Sequence, residues 1–172
     1  MTSKAFYLYP MSYSPLAVAN TFIAEFGGGG GIDHMKLQKL TYYAYGWSLA
    51  FRNKPLLKEG PEVWQYGPVF DSLYRSMASH GSKPIAEPIK ANPFQPAPIV
   101  PETDGDTRNL IRWVWDRYGG MSGLRLSDET HKAGTPWQIE AAKHGYRVPS
   151  HHRIPDEQIQ SFFKAEAARL DG

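Results

Sequence analysis

A chain of 172 residues with 41% hydrophobic content is the size of one domain and has enough apolar mass for a sizeable core. Its net charge is +2, with eight Lys/Arg against five Asp/Glu through residue 86 and eleven against twelve after it. The concentrated basic footprint of a nucleic-acid binder is therefore missing. The absence of cysteine excludes disulfides, thiolate nucleophiles and Cys-ligated zinc. No apolar run reaches the roughly 20 residues of a membrane span or forms a signal peptide, and a cytoplasmic location is expected.

Residues 1–13 read as an irregular arm carrying Phe6, Tyr7, Tyr9 and Tyr13, with residues 14–172 as a single domain. In "SPLAVANTFIAEF", Ser14 is a cap and Pro15 suits the first helical position. Leu16, Ala19, Ile23 and Phe26 recur on one helical face. Five glycines, Gly27 to Gly31, follow. Asp33 then caps a second helix over 34–52, whose buried stripe is Leu37, Leu40, Ala44, Trp47 and Phe51. "VWQY" is a short strand candidate, and "GPVFDSLYRSMASHG" reads as a helix with Pro68 near its start and Gly81 at its end.

Six prolines between Pro84 and Pro101 exclude a helix and a central strand. That stretch is expected to drape over the helices, anchored by Ile85, Ile89 and Ile99. Four more helices follow. "DTRNLIRWVWDRYG" has Leu110, Ile111, Val114, Trp115 and Tyr118 on a broad face; "SGLRLSDETHKAG" is capped by Ser122; "PWQIEAAKHG" starts at Pro136; "IPDEQIQSFFKAEAARL" has Ile159, Phe162, Phe163 and Leu170 as core positions. The expected fold is mostly α, with six or seven helices and a small β-hairpin in one compact domain.

The glycine run is not a phosphate cradle. A P-loop needs a strand before it and Gly-Lys-Ser/Thr after it, so that backbone N–H groups and the lysine meet the anion. Here a helix precedes and "GIDHMK" follows. The run reads as a mobile connection between helices, ended by a left-handed glycine cap. His151 and His152 are adjacent, so their side chains point in different directions and one ion is hard for both to reach; they read as solvated loop. Asp128 and His131 sit three residues apart and could form a carboxylate–imidazole pair orienting a general base. No nucleophile or third carboxylate has an evident place beside them, and a structural hydrogen bond under the Trp137 turn is the favoured reading. No catalytic residue, cofactor loop or metal-ligand set is assigned, and an enzyme is not expected. Trp113, beside Arg112, is either an interface anchor or part of a second buried layer.

Four segments, "MKLQKLTYYAYGWSLA", "EVWQYGPVFDSLYRSM", "VWDRYGGMSGLRLSDETHKAGTPW" and "IPDEQIQSFF", follow one another as in the SocA-like family, also called the Panacea domain, which this chain resembles from about Pro15 to Phe163. The matching positions are Leu37, Lys39, Leu40, Tyr43, Trp47, Trp64, Gly67, Pro68, Val69, Tyr74, Tyr118, Thr130, His131, Pro136 and Trp137. The resemblance implies a mostly helical antitoxin that neutralises a cognate toxin, encoded beside it, by direct contact. In the SocA branch it implies an adaptor that delivers the toxin to the ClpXP protease. It implies no catalytic residues, and it casts the matching positions as structural. Partner contacts are then expected at Phe6, Tyr7, Tyr9, Tyr13 and Trp113, in the proline-rich segment or on helix surfaces. A DNA-binding autorepressor is the alternative, against which the charge distribution weighs. The Asp128/His131 enzyme is a weaker one.

Overall fold

Side-chain caps set where most of the helices begin. Ser14, Asp33, Asp104, Ser122 and Thr135 each accept a hydrogen bond from the backbone N–H three residues on, starting α1 (Pro15–Phe26), α2 (His34–Arg52), α4 (Gly105–Tyr118), α5 (Gly123–His131) and α6 (Pro136–Lys143). Between α2 and α4 lie β1 (Glu62–Trp64), β2 (Gly67–Val69) and α3 (Asp71–Met77), and α7 (Asp156–Leu170) closes the chain. The computed structural model describes residues 12–172. Phe6, Tyr7 and Tyr9 of the expected arm lie outside the described residues. Within them the mostly helical expectation holds, with seven helices and one two-stranded antiparallel hairpin. No helix there is long and apolar enough to cross a membrane.

Helix α2 is the mast. It packs against α1, α3, α4, α5, α7 and β2, and Leu37 through Leu49 are all buried. Such a helix is apolar on nearly every side, and the polar residues it does bury have fixed partners. Gln38 accepts from Phe70 N–H at 3.0 Å and donates to Phe70 O at 3.1 Å. Lys39 Nζ donates to Pro68 O at 3.0 Å. Gly46 admits α7: a Cβ there would stand 2.1 Å from the Phe163 ring. The expected stripe ends one turn early, because Phe51 is 49% exposed. Helix α7 behaves likewise: Ile159 and Phe163 are buried, Phe162 is half-buried, and Leu170 lies exposed in the last turn.

Pro68 is not in a helix. It pairs with Val63 across the hairpin. Val63 N–H points away from Pro68 and donates to His152 O at 2.9 Å. The pair therefore belongs to the non-hydrogen-bonded class, and the N–H that proline lacks has no ladder partner to lose. Gly67, at φ 104°, makes the approach, and helix α3 starts only at Asp71.

The glycine run turns as a helix–helix connection, but it is tied at both ends. Gly27 N–H donates to Ile23 O at 2.8 Å, and Ile32 exchanges backbone bonds with Ile85 at 2.9 and 3.0 Å. Gly31, at φ 71°, must be glycine: a Cβ would lie 2.8 Å from the Ile85 carbonyl. The proline-rich segment is extended, as expected, and its anchors are partly polar. Asn20, fully buried in α1, donates to Ile89 O at 2.8 Å and Pro98 O at 2.9 Å and accepts from Ile89 N–H at 2.8 Å. Thr21 Oγ1 accepts from Val100 N–H at 3.0 Å. Ile85 and Val100 are the buried side chains here, while Ile89 and Ile99 are half-buried.

Candidate protein-docking surface

The ring-rich stretch of α2 meets α4 and α7 along one seam. Tyr43 stacks on Tyr118 of α4 with centroids 4.0 Å apart and planes at 15°. Trp47 Nε1 donates to Tyr118 OH at 2.9 Å, and Phe163 meets Tyr42, Tyr43 and Trp47 edge-on. Burial pushes the phenols of Tyr42, Tyr43 and Tyr118 upward, so they stay neutral donors and acceptors in the seam. The Arg117 guanidinium lies 5.7 Å from the ring centroids of Trp47, Trp113 and Tyr118, within cation–π range.

Above this seam a groove of about 1000 Å³ runs between α2, α5 and α7. Tyr43, Tyr118, Phe162 and Phe163 line its floor, and Thr130, Pro136 and Ile139 are among its wall residues. Arg117, Lys132 and Arg169 line it together with Glu129 and Glu166, Lys132 pairing with Glu129 and Arg169 with Glu166. A recess of about 480 Å³, lined by Val63, Trp64, Trp137, Tyr146 and Val148, lies against β1 and α6.

The connection from α5 to α6 borders the groove, and hydrogen bonds tie it and its flanking helices to the hairpin. Thr135 Oγ1 donates to Thr130 O at 2.7 Å, Ser127 Oγ to Tyr66 O at 2.9 Å, and Trp137 Nε1 to Trp64 O at 2.8 Å. His131 packs on Trp137 with centroids 4.1 Å apart. Its Nδ1 lies 2.6 Å from Ser127 O and its Nε2 3.0 Å from Gln65 O. The structural hydrogen bond expected under the Trp137 turn is present, but its partners are backbone carbonyls. Asp128 is exposed and makes no hydrogen bond or ion pair among the described residues, so the carboxylate–imidazole pair is not formed. Both His131 ring nitrogens face backbone carbonyls, of Ser127 and Gln65, and neither meets Asp128.

The positions that match the family segments serve different parts of the fold. Leu37 and Leu40 are core, and Lys39, Gly67, Pro68 and Val69 lock the hairpin onto α2. Tyr43, Tyr118, Thr130 and Pro136 line the groove. Trp64 and Trp137 line the recess, with Tyr74 exposed against Trp64 at 4.9 Å. Lys39 is 1% exposed, has no carboxylate paired with it among the described residues, and burial lowers its pKa to about 7.

Trp113 is half-buried, edge-on to Trp47 at 4.8 Å and to Phe51 at 5.4 Å, so it forms a second ring layer with one side open. Tyr13 is fixed to the body. It bridges Leu57, and its OH donates to Asp104 at 2.5 Å. Burial and that acceptor push the Tyr13 phenol up to about 12. Burial alone would raise Asp104, but bonds from Tyr13 and Thr107 and the charge of Arg52 hold its carboxyl below the usual range. Sequence reasoning missed Arg117, Ile139 and Phe162 as surface residues. Phe162 stands next to the buried Phe163, and helical period alone gave both to the core.

The family model described as antitoxin SocA-like, Panacea domain, matches residues 37–138, from α2 into the first turn of α6. The chain is also 31% identical over 159 residues to antitoxin SocA of Caulobacter vibrioides (strain NA1000 / CB15N), covering 90% of this chain and 85% of that protein. No solved structure matches. Matched by the model over more than half its length and by this relative over nearly all of it, the chain belongs to the antitoxin SocA-like, Panacea-domain family.

Proposed function

We propose that the chain is an antitoxin that neutralises a cognate toxin by direct contact, with a segment of the toxin seated in the groove between α2, α5 and α7. One observation carries this reading beyond the family: the groove couples a floor of rings to charged side chains of both signs. Aromatic and Arg-rich centres with polar borders are where protein interfaces concentrate their affinity. The floor is prebuilt, so little side-chain freedom is lost on docking. An interface of ordinary size buries roughly 1,600 Å² in total, more than one groove supplies. In this proposal Phe51 and Trp113 add a flanking apolar patch, and the arm residues Phe6, Tyr7 and Tyr9 add further rings.

Delivery of the bound toxin to ClpXP, the mode of the SocA branch, is the finer form of the proposal. It needs a second surface, so that toxin and protease are held together. The test is co-expression with the protein encoded beside this one, followed by gel filtration at micromolar concentration. Co-elution is expected, and Arg117→Glu with Ile139→Asp is expected to abolish it while leaving the circular dichroism spectrum unchanged. Separate elution of the wild-type pair would sink the binding reading. Co-elution that survives the double substitution would move the contact off the groove. The toxin's lifetime in cells with and without this chain separates masking from delivery.

A further inference from the structure

The loop between α6 and α7 brings together three side chains that no toxin contact requires. Glu140 lies in α6, and His144 follows one turn later at its C-terminal cap. His152 returns from the far end of the loop. Glu140 Oε1 stands 2.7 Å from His152 Nε2 and 3.9 Å from His144 Nε2. The two imidazoles meet edge to face, with centroids 4.5 Å apart, and all three donor atoms lie within 4.8 Å of one another.

The backbone is bent to produce this arrangement. His151 and Tyr146 adopt left-handed φ values of 62° and 61°, which residues with side chains rarely do. The turn at His151 sends its own ring to Glu62, with Nδ1 at 3.2 Å from Oε1, and the His152 ring to Glu140. The adjacent histidines do point apart, as their spacing implied. His152 finds its companions in α6 instead.

We infer that Glu140, His144 and His152 form a site for one divalent transition-metal ion of the zinc class. Two imidazole nitrogens and one carboxylate are the donor set of a three-ligand zinc centre with an open fourth position. That set suits zinc, cobalt or nickel and does not suit magnesium or calcium, which prefer oxygen cages. Tetrahedral bonds of about 2.0–2.2 Å put neighbouring donors about 3.3–3.5 Å apart. The two separations from Glu140, 2.7 and 3.9 Å, bracket that spacing, and with all three donors within 4.8 Å of one another, side-chain adjustments of about an ångström close the site. The Glu140 side chain is 7% exposed, while those of His144 and His152 are 32% and 30% exposed, so an ion enters from solvent onto a fixed carboxylate. Lys143 Nζ, 3.3 Å from the other carboxylate oxygen, is itself 57% exposed and also donates to Gln158 Oε1 at 3.4 Å, a partner it keeps on leaving the carboxylate. A bound ion would staple α6 to the segment that pairs with β1 through the Glu62–Arg153 bridge.

The test uses untagged full-length protein stripped with a chelator. Zinc is titrated calorimetrically, cobalt(II) is followed by its visible absorption, and magnesium is the control. Wild type is expected to bind one zinc per chain, to give the intense visible bands of tetrahedral cobalt, to melt higher with zinc, and to ignore magnesium. His144→Ala and His152→Ala are each expected to weaken zinc binding about a hundredfold or more, since loss of even an outer-shell partner costs up to that much. Should His152→Ala fail to fold, His144→Ala at the helix cap decides alone. No saturable zinc uptake at micromolar concentration would overturn the inference. So would equal affinity and stoichiometry in wild type and His144→Ala, which would locate the ion on other histidines.

Discussion

Substituting Lys39 with methionine should make the protein more stable at neutral pH, and the gain should shrink as the solution turns alkaline. The folded protein releases the Lys39 proton near pH 7, while an unburied lysine holds it to 10.5. Between those values the unfolded chain binds the extra proton, so stability rises with pH through that window and is lowest below it. At pH 7 the penalty is about 4 kcal/mol, from a pKa brought down to about 7 and about 1.4 kcal/mol per unit. Methionine removes the penalty and fills a similar volume. It also strips Pro68 O of its donor, at about 1–3 kcal/mol. The net effect at pH 7 is a gain of about 1–3 kcal/mol. By pH 9 the ionisation penalty has fallen by about 2 kcal/mol, and the advantage shrinks by the same amount. Urea unfolding of both proteins at pH 7, 8 and 9, followed by tryptophan fluorescence, measures the difference. A gap that stays constant within about 0.5 kcal/mol across the three pH values would refute the assignment of a desolvated ammonium.

Gly46→Ala should destabilise although alanine favours helices by about 1 kcal/mol, because its methyl group meets the Phe163 ring at 2.1 Å and overpacking costs about 1–3 kcal/mol; a gain in thermal stability would show that α7 yields freely. Asn20→Ala removes three hydrogen bonds to the proline-rich segment, at about 1 kcal/mol each. It should speed limited proteolysis within residues 86–97, and an unchanged cleavage pattern would mean that the segment is held by its isoleucines alone. Tyr13→Phe should lose about 1–2 kcal/mol, because Asp104 loses one of the bonds that fix the start of α4. Equal stability, read by thermal melting, would make that contact incidental.

Helix positions were legible because their caps are local chemistry. Ser14, Asp33, Ser122 and Pro136 mark their helices without any tertiary information. Pro68 misled for an instructive reason. A proline reads equally as a helix opener and as the member of a strand pair that needs no N–H, and only the His152 carbonyl, far along the chain, decides which. Phe51 and Leu170 fit the helical period, but each lies past the point where a neighbouring element stops covering it. The groove was half visible: Tyr43, Thr130 and Pro136 stood out in the segments that resemble the family but looked like packing. That they line a hollow depends on α5, α6 and α7 coming together around α2. The Glu140–His144 spacing was open to reading as one helical turn. Its third member, His152, became meaningful only through the left-handed turn at His151.

Because α2 precedes its outer cover, α7, with β1, β2, α3, α4, α5, α6 and their loops between them, synthesis and folding are ordered in time. While residues 156–170 are still inside the ribosome, Tyr42, Tyr43 and Trp47 have no Phe163 against them. A nascent or prematurely terminated product therefore shows bare aromatic surface to chaperones and proteases. Only a chain that carries α7 can hide that surface, so fragments lacking it are selectively exposed to cellular clearance while chains that include it are shielded.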